Sequence, residues 1–363
     1  DLVLHVVGKA ATLAWTGETV TDGKKNWDVK TTHNWDGDNV FYSDDNVTFG
    51  ALDEAQVVTV AADGVLIGSL EVTGGDYTFE GGAITSALGL GDVSISGGTV
   101  VFNNSIDTDG AASISGGNVT FNAANGWTGE TTITGSSTIV KVADEAGLSD
   151  TKVSIKGGAE LQLAIAGAEN TLANSEVALI SGNIYATEDA SIAQLTITGN
   201  DTKSLNAKTG HTLSATLSGN ITGDLLINTW KAENGTVSLT IKDGQNATTA
   251  GNLQVGNEGV NASQGGTSAK LVLNGKSAQT LTADSVKVCA AGTVIEIAGG
   301  MTLATGAVSG EGVINVTDSK LSTSAEILNA DITTSGTSTL VSTRNGGISM
   351  GASTVNGTTT YEK

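Results

Sequence analysis

Residues 71–79 read EVTGGDYTF, residues 94–102 read SISGGTVVF and residues 113–121 read SISGGNVTF. Each copy has an apolar position, a Gly-Gly corner, a short alternating run and a closing Phe. The copies begin 23 and then 19 residues apart. A period near ~20 residues is too short for a domain and suits one turn of a coiled chain. No cysteine, histidine or catalytic pair lies inside the copies, so the repetition reads as architecture. Val72, Ile95, Ile114 and Ile133 fall at one phase of the repeat, and Phe79, Phe102 and Phe121 at another. Stacking like on like along an axis lets parallel rungs bury a continuous strip. The spacing predicts that the three Phe rings form an internal stack.

The same grammar continues outward. Short alternating runs broken by Gly, Asn or Asp recur as QVVTV (56–60), KVSIKGGAELQLAI (152–165), QLTITG (194–199), TVSLTIKDG (236–244) and TVIEIAGGMTLAT (293–305). Alternation with β-branched residues marks half-buried strands, and the breakers mark corners. The chain holds 49 Gly and no Pro, where about eighteen prolines are expected at ordinary usage. Proline removes a ladder donor, so a chain that is nearly all paired strand excludes it. Aromatics are only 4% against 39% hydrophobic residues, so the core is expected to be thin layers of Val, Ile, Leu and Ala. The expected fold is all-β, a parallel β-solenoid. Residues 1–50 form a leader strand and an aromatic-rich cap with Trp15, Trp27, Trp35, Phe41, Tyr42 and Phe49, and residues 51–363 form roughly fifteen rungs of about 20 residues.

A net charge of −21 argues against nucleic acid and anionic lipid as partners, because both require basic patches. No apolar run approaches membrane-spanning length, so no membrane insertion by this chain is expected. Cys289 stands alone on an alternating apolar run and reads as a small core residue.

The opening section, LAWTGETVTDGKKNWDVKTTHNWDGDNVFYSDDNVTFG (13–50), carries Trp-Thr-Gly, Asn-Trp-Asp and Asp-Asn-Val-Thr-Phe-Gly in succession. It resembles the start of bacterial autotransporter passenger proteins with the passenger-associated β-strand repeat. The units at 74–79, 97–102 and 116–121 are similar to those repeats, and WTGETTITGSSTIV (127–140) to the strand that follows them. Beyond about residue 165 the similarity is compositional. The resemblance implies a right-handed parallel β-helix, exported to the surface or exterior of a Gram-negative-type cell. The family's membrane β-barrel has no counterpart before Lys363.

Chemistry finds few groups to work with. The closest carboxylate pairs are Asp36 with Asp38 in NWDGDN and Asp107 with Asp109 in SIDTDG. Both sit beside Gly or Asn and read as turns, with weak binding of a surface Ca2+ as the one metal expectation and no cofactor. His5, His33 and His211 are the only histidines, and no GxSxG nucleophile stretch accompanies them. ALGLGD (87–92) lacks the lysine and following helix of a phosphate loop. The expected function is therefore non-enzymatic: adhesion or cell–cell contact through a repetitive Thr, Ser and Asn ladder face, with a host or bacterial surface glycan or protein as partner. Trp127 in NGWTGE and Trp230 in LINTWKAENG are the candidate glycan contacts. The alternative is end-to-end self-assembly into filaments or a surface layer. There Leu2, Leu4 and Val6 of the leader would pair with an open rung by strand addition.

Overall fold

The computed structural model describes residues 9–87, 91–126, 128–144, 147–148, 152–165, 172–229, 231, 233–248, 251–257, 266–324, 330–342, 354–355 and 357–362. These residues form a β-solenoid of parallel strands, and their single helical element is a 3-10 turn at Asp36–Asp38. Two compact units divide the chain, Asp1–Lys152 and Val153–Lys363.

In the first unit, one sheet stacks Thr12–Ala14, Asn46–Phe49, Ser69–Val72, Asp92–Ile95, Ala112–Ile114 and Thr131–Thr134. A second stacks Lys25–Trp27, Gln56–Val60, Asp76–Gly81, Thr99–Phe102, Asn118–Phe121 and Ile139–Val142. A third, smaller sheet joins Val65–Ile67, Ile84–Ser86 and Ile106–Asp107. The repeat predicted from sequence is realised residue for residue. Val72 pairs with Ile95, Ile95 with Ile114 and Ile114 with Ile133. Phe79, Phe102 and Phe121 share one register. Their rings stack at 4.9 Å and 5.5 Å, tilted by only 10° and 9°, and all three are fully buried.

The Gly-Gly corner has a backbone reason. The second glycine of each copy, Gly75, Gly98 or Gly117, has φ of 84°, 87° or 80°, a region that side chains disfavour. A Cβ on Gly98 would overlap the carbonyl oxygen of Gly75, and one on Gly117 that of Gly98. Corner stacks on corner, so the constraint repeats with the turn.

The aromatic section is wound into the same solenoid. Trp27 lies on the strand that pairs with Gln56–Val60, and Phe49 on the strand that pairs with Ser69–Val72. Phe49 meets Phe79 edge-on at 4.9 Å, and Trp27 lies 5.5 Å from Phe49 and 5.6 Å from Phe41. The rings therefore continue the Phe column rather than forming a separate layer.

In the second unit, one sheet runs from Leu172–Leu179 through Ala190–Ile197, Thr212–Leu217, Thr236–Ile241, Lys270–Asn274, Val294–Ala298, Val313–Thr317 and Asp331–Ser335 to Thr354–Val355. The facing sheet begins with Ala159–Leu163, Gly182–Ala186, Lys203–Ala207 and Leu225–Ile227 and reaches Thr358–Glu362. Aliphatic columns replace the Phe stack. Leu213, Val237, Leu271, Ile295, Ile314 and Ile332 stand in register, each at most 1% exposed.

Candidate functional site

Three of the four carboxylates singled out from the sequence, Asp36, Asp107 and Asp109, are turn-binding groups. Asp107 accepts hydrogen bonds from the Gly126 N–H at 2.7 Å and the Ser105 hydroxyl at 3.1 Å. Asp109 accepts from the Thr128 hydroxyl at 3.0 Å. Asp36 accepts from the Ala14 N–H at 2.8 Å, while Asp38 receives His33 Nδ1 at its backbone carbonyl, 2.6 Å away. The same device recurs at other corners: Asp45 accepts from Ala11, Asp92 from Ala111, Asp189 from Thr212, Asp224 from Asn252 and Asp318 from Thr337. An acidic corner residue thus captures a backbone N–H that the parallel ladder leaves over where the strand ends. Among the described residues no three His, Cys, Asp or Glu side chains converge as metal ligands.

His211 Nδ1 lies 3.7 Å from both Glu188 and Asp189. Cys289 is a buried thiol outside any disulfide. Trp127, Trp230, Leu2, Leu4, Val6 and His5 lie outside the described residues.

Two surfaces of the second unit stand out. The first is the outward face of the sheet around Thr212–Leu217. There Thr212 pairs with Thr236, Ser214 with Ser238 and Thr216 with Thr240, and Ser191 extends the serine row. Strand spacing near ~4.8 Å makes this a regular hydroxyl array. A dent of about 150 Å³ lies among Ser191, Ala193, Ser214, Thr216 and Thr240.

The second is a polar cluster on the facing sheet. Alternation points Leu161, Ile184 and Leu205 inward and Glu160, Asn183 and Ser204 outward. Outward residues belong in water, yet Glu160, Asn183, Ser204 and Asn206 are 3%, 6%, 4% and 0% exposed. Asn228, Lys231 and Glu233 contact this face. Asn228, in the left-handed region at φ 55°, accepts from the Ala207 N–H at 2.7 Å and donates to the Gly235 carbonyl at 2.7 Å. Lys231 reaches back to Glu160 at 3.0 Å, and its ammonium lies 5.5 Å from the Tyr185 ring centroid. Gln162 donates to the other oxygen of Glu160 at 2.6 Å. Glu233 accepts from the Tyr185 phenol at 2.8 Å and from Thr209 through its N–H at 3.0 Å and its hydroxyl at 2.8 Å.

The electrostatics follow from those contacts. Burial pushes the Tyr185 phenol well up, and the carboxylates of Glu233 and Glu160 push it the same way. For Glu233, burial acts upward but is outweighed by the Thr209 and Tyr185 donors and the field of Lys208, so its carboxyl lies below the ordinary value. The phenol stays a donor and the carboxylate an acceptor at neutral pH. Sequence reading missed this cluster because its partners lie 48 residues apart for Tyr185 with Glu233, and farther for Lys231 with Glu160. The available signal was Glu160 and Gln162 flanking Leu161 in AELQL, polar groups whose cover a strand pattern does not identify. No family, curated protein or solved structure matches the chain.

Proposed function

We propose that the chain is a non-enzymatic secreted or cell-surface solenoid of the autotransporter-passenger type, which makes adhesive contacts through its hydroxyl ladder face. The observation that carries this reading is the register-matched array of Thr212, Ser214 and Thr216 on Thr236, Ser238 and Thr240. Each hydroxyl both donates and accepts, so the array suits a polyhydroxylated or polar polymer surface. Repetition turns weak single contacts into avidity. Three of the four carboxylates named from sequence, Asp36, Asp107 and Asp109, support the non-enzymatic part, since each is engaged in hydrogen bonds to the backbone or hydroxyls of another part of the chain. The passenger assignment rests on the opening Trp-Thr-Gly and Asn-Trp-Asp succession and on the GGxVTF-type repeats. The partner class is a glycan or protein of a host or bacterial surface.

The test is adhesion of beads coated with the chain to cell and glycan-coated surfaces, before and after placing Glu at Ser214, Thr216, Ser238 and Thr240. These positions face outward, so folding is expected to be unchanged by circular dichroism. Bead retention is expected to fall at least about tenfold. Unchanged retention with folding intact removes this face from the proposal.

A further inference from the structure

The first unit carries a groove of about 570 Å³ on the outward side of the strand that bears Trp27. Trp27 and Val60 point into the core, so alternation turns Asn26 and Thr59, paired across adjacent turns, toward the groove. Its floor is Ala61, Ala62, Gly81 and Gly82, where the corners of successive turns stack. Gly81 has φ 97°, and a Cβ on Gly81 or Gly82 would overlap the carbonyl oxygen of Val60 or Ala61. The winding of the solenoid thus keeps the floor bare. Polar groups stand around it. Lys24 is exposed and Asn26 half-buried, and among the described residues neither side chain is engaged by a hydrogen bond or ion pair. The oxygens of Asp28 accept from the Thr32 N–H at 2.8 Å and the Thr32 hydroxyl at 2.6 Å, one bond each, so each keeps a further acceptor position. Thr59 donates to Glu80 at 3.3 Å, and its oxygen remains able to accept.

We infer that this groove binds a neutral pyranose unit. Lys24 and the Asn26 amide offer donors and Asp28 an acceptor, and a sugar hydroxyl, which does both, matches each of them. The bonds to the two charged groups are the stronger ones. Charge sets the neutrality: an anion meets Asp28, with Glu80 beside Thr59, and a cation meets Lys24. The methyl groups and bare backbone of the floor take the C–H face of the ring. The volume lies within the range of small-molecule clefts. This inference makes no use of the hydroxyl ladder, which belongs to the second unit, so the two readings fail separately.

The test is saturation-transfer NMR on the whole chain with the methyl glycosides of glucose, galactose and mannose, titrated well past a Kd of about 1 mM. At least one of them is expected to give a saturable signal, strongest on its ring C–H protons. Lys24→Ala with Asn26→Ala removes two unengaged groups and takes no partner from the fold. It is expected to weaken binding at least about tenfold with the thermal midpoint unchanged. Lys24→Ala alone, at an exposed position, is read in the same way if the double variant does not fold. Glu at Ser214, Thr216, Ser238 and Thr240 should leave the affinity as it is; a loss there moves the sugar to the ladder and overturns the groove. Sodium glucuronate, glucosamine hydrochloride and glycine are expected to respond less, and a stronger response to any of them overturns the neutral-sugar assignment. No saturable response to the glycosides, or equal affinity in wild type and the double variant, overturns the site.

Discussion

Phe102 is the residue on which the first unit's core is easiest to weigh. Its ring is fully buried between Phe79 and Phe121, and the turns above and below are locked in register, so the site collapses little on truncation. Phe102→Ala is expected to cost about 3–5 kcal/mol in denaturant unfolding of this unit, and a loss below about 1 kcal/mol contradicts the stacked core. The neighbouring tryptophans show a different residue-scale solution. The indole N–H groups of Trp15, Trp27 and Trp35 are buried without a hydrogen-bond partner. Trp35 meets both Trp15 and Trp27, and Trp27 meets Phe41, in edge-to-face pairs, where a positive ring edge meets a negative face. These positions were legible as aromatic from the sequence, and Phe79, Phe102 and Phe121 also as a column. That the tryptophans belong inside the first turns was not legible, because an amphiphilic ring covers an open edge as readily as it fills a core.

At the scale of elements, the corners decide which turns hold together. Asn125 is 5% exposed and spans two turns, accepting from the Ile106 N–H at 2.8 Å and donating to the Gly147 carbonyl at 2.9 Å. Asn125→Ala leaves a buried donor and a buried acceptor unmet, at about 1–3 kcal/mol for each group. Urea unfolding of the first unit should show a loss in that range, with the slope unchanged. Asn125→Asp keeps only the acceptor and should recover part of it at neutral pH. The contact of Glu233 with Tyr185 and Thr209 in the second unit follows charge instead. The Glu233 carboxyl is depressed, so its contribution is present above the ordinary carboxylate range and is lost as pH falls through its folded value. Glu233→Gln is expected to flatten the acid limb of the thermal midpoint, while neutral-pH midpoints fall by less than for Lys231→Ala, which leaves Glu160 buried without its ion pair. Equal acid limbs in wild type and Glu233→Gln would show that this carboxylate does not carry the acid limb. Alternation located the strands of this region, but not its cover. A polar residue at an outward position reads the same whether water or a distant lysine meets it.

Across the whole molecule, the chain's acidity and its pH response have separate sources. No Lys or Arg occurs between Lys30 and Lys141, and the corner carboxylates at Asp45, Asp92, Asp107 and Asp109 show why acid residues accumulate there: they accept N–H or O–H groups from adjoining turns. A basic side chain offers no acceptor for that task. The alkaline limb instead rests on groups inside the two units. In the second, Lys203 points into the core with no exposed surface, donating to the Gly199 carbonyl and, at 2.5 Å, to that of Thr222. Burial depresses its pKa, against the opposing fields of Asp201 and Asp224. The folded chain therefore releases this proton before the unfolded chain does, and stability rises with pH from the folded value up to the ordinary lysine value. In the first unit, Tyr77 donates to the Gly50 carbonyl at 2.5 Å, and burial pushes its phenol up to about 12. Unfolded tyrosine ionises from pH 10.0 upward, so the contribution of Tyr77 is complete below that value and is lost on passing toward 12. The two effects oppose one another in different units. Lys203→Met should remove the rising part of the midpoint-against-pH curve and leave the fall above pH 10 in place; Tyr77→Phe should soften the fall and leave the rise. Calorimetry across the alkaline range checks both, and a rise that survives Lys203→Met would place its origin outside the buried lysine.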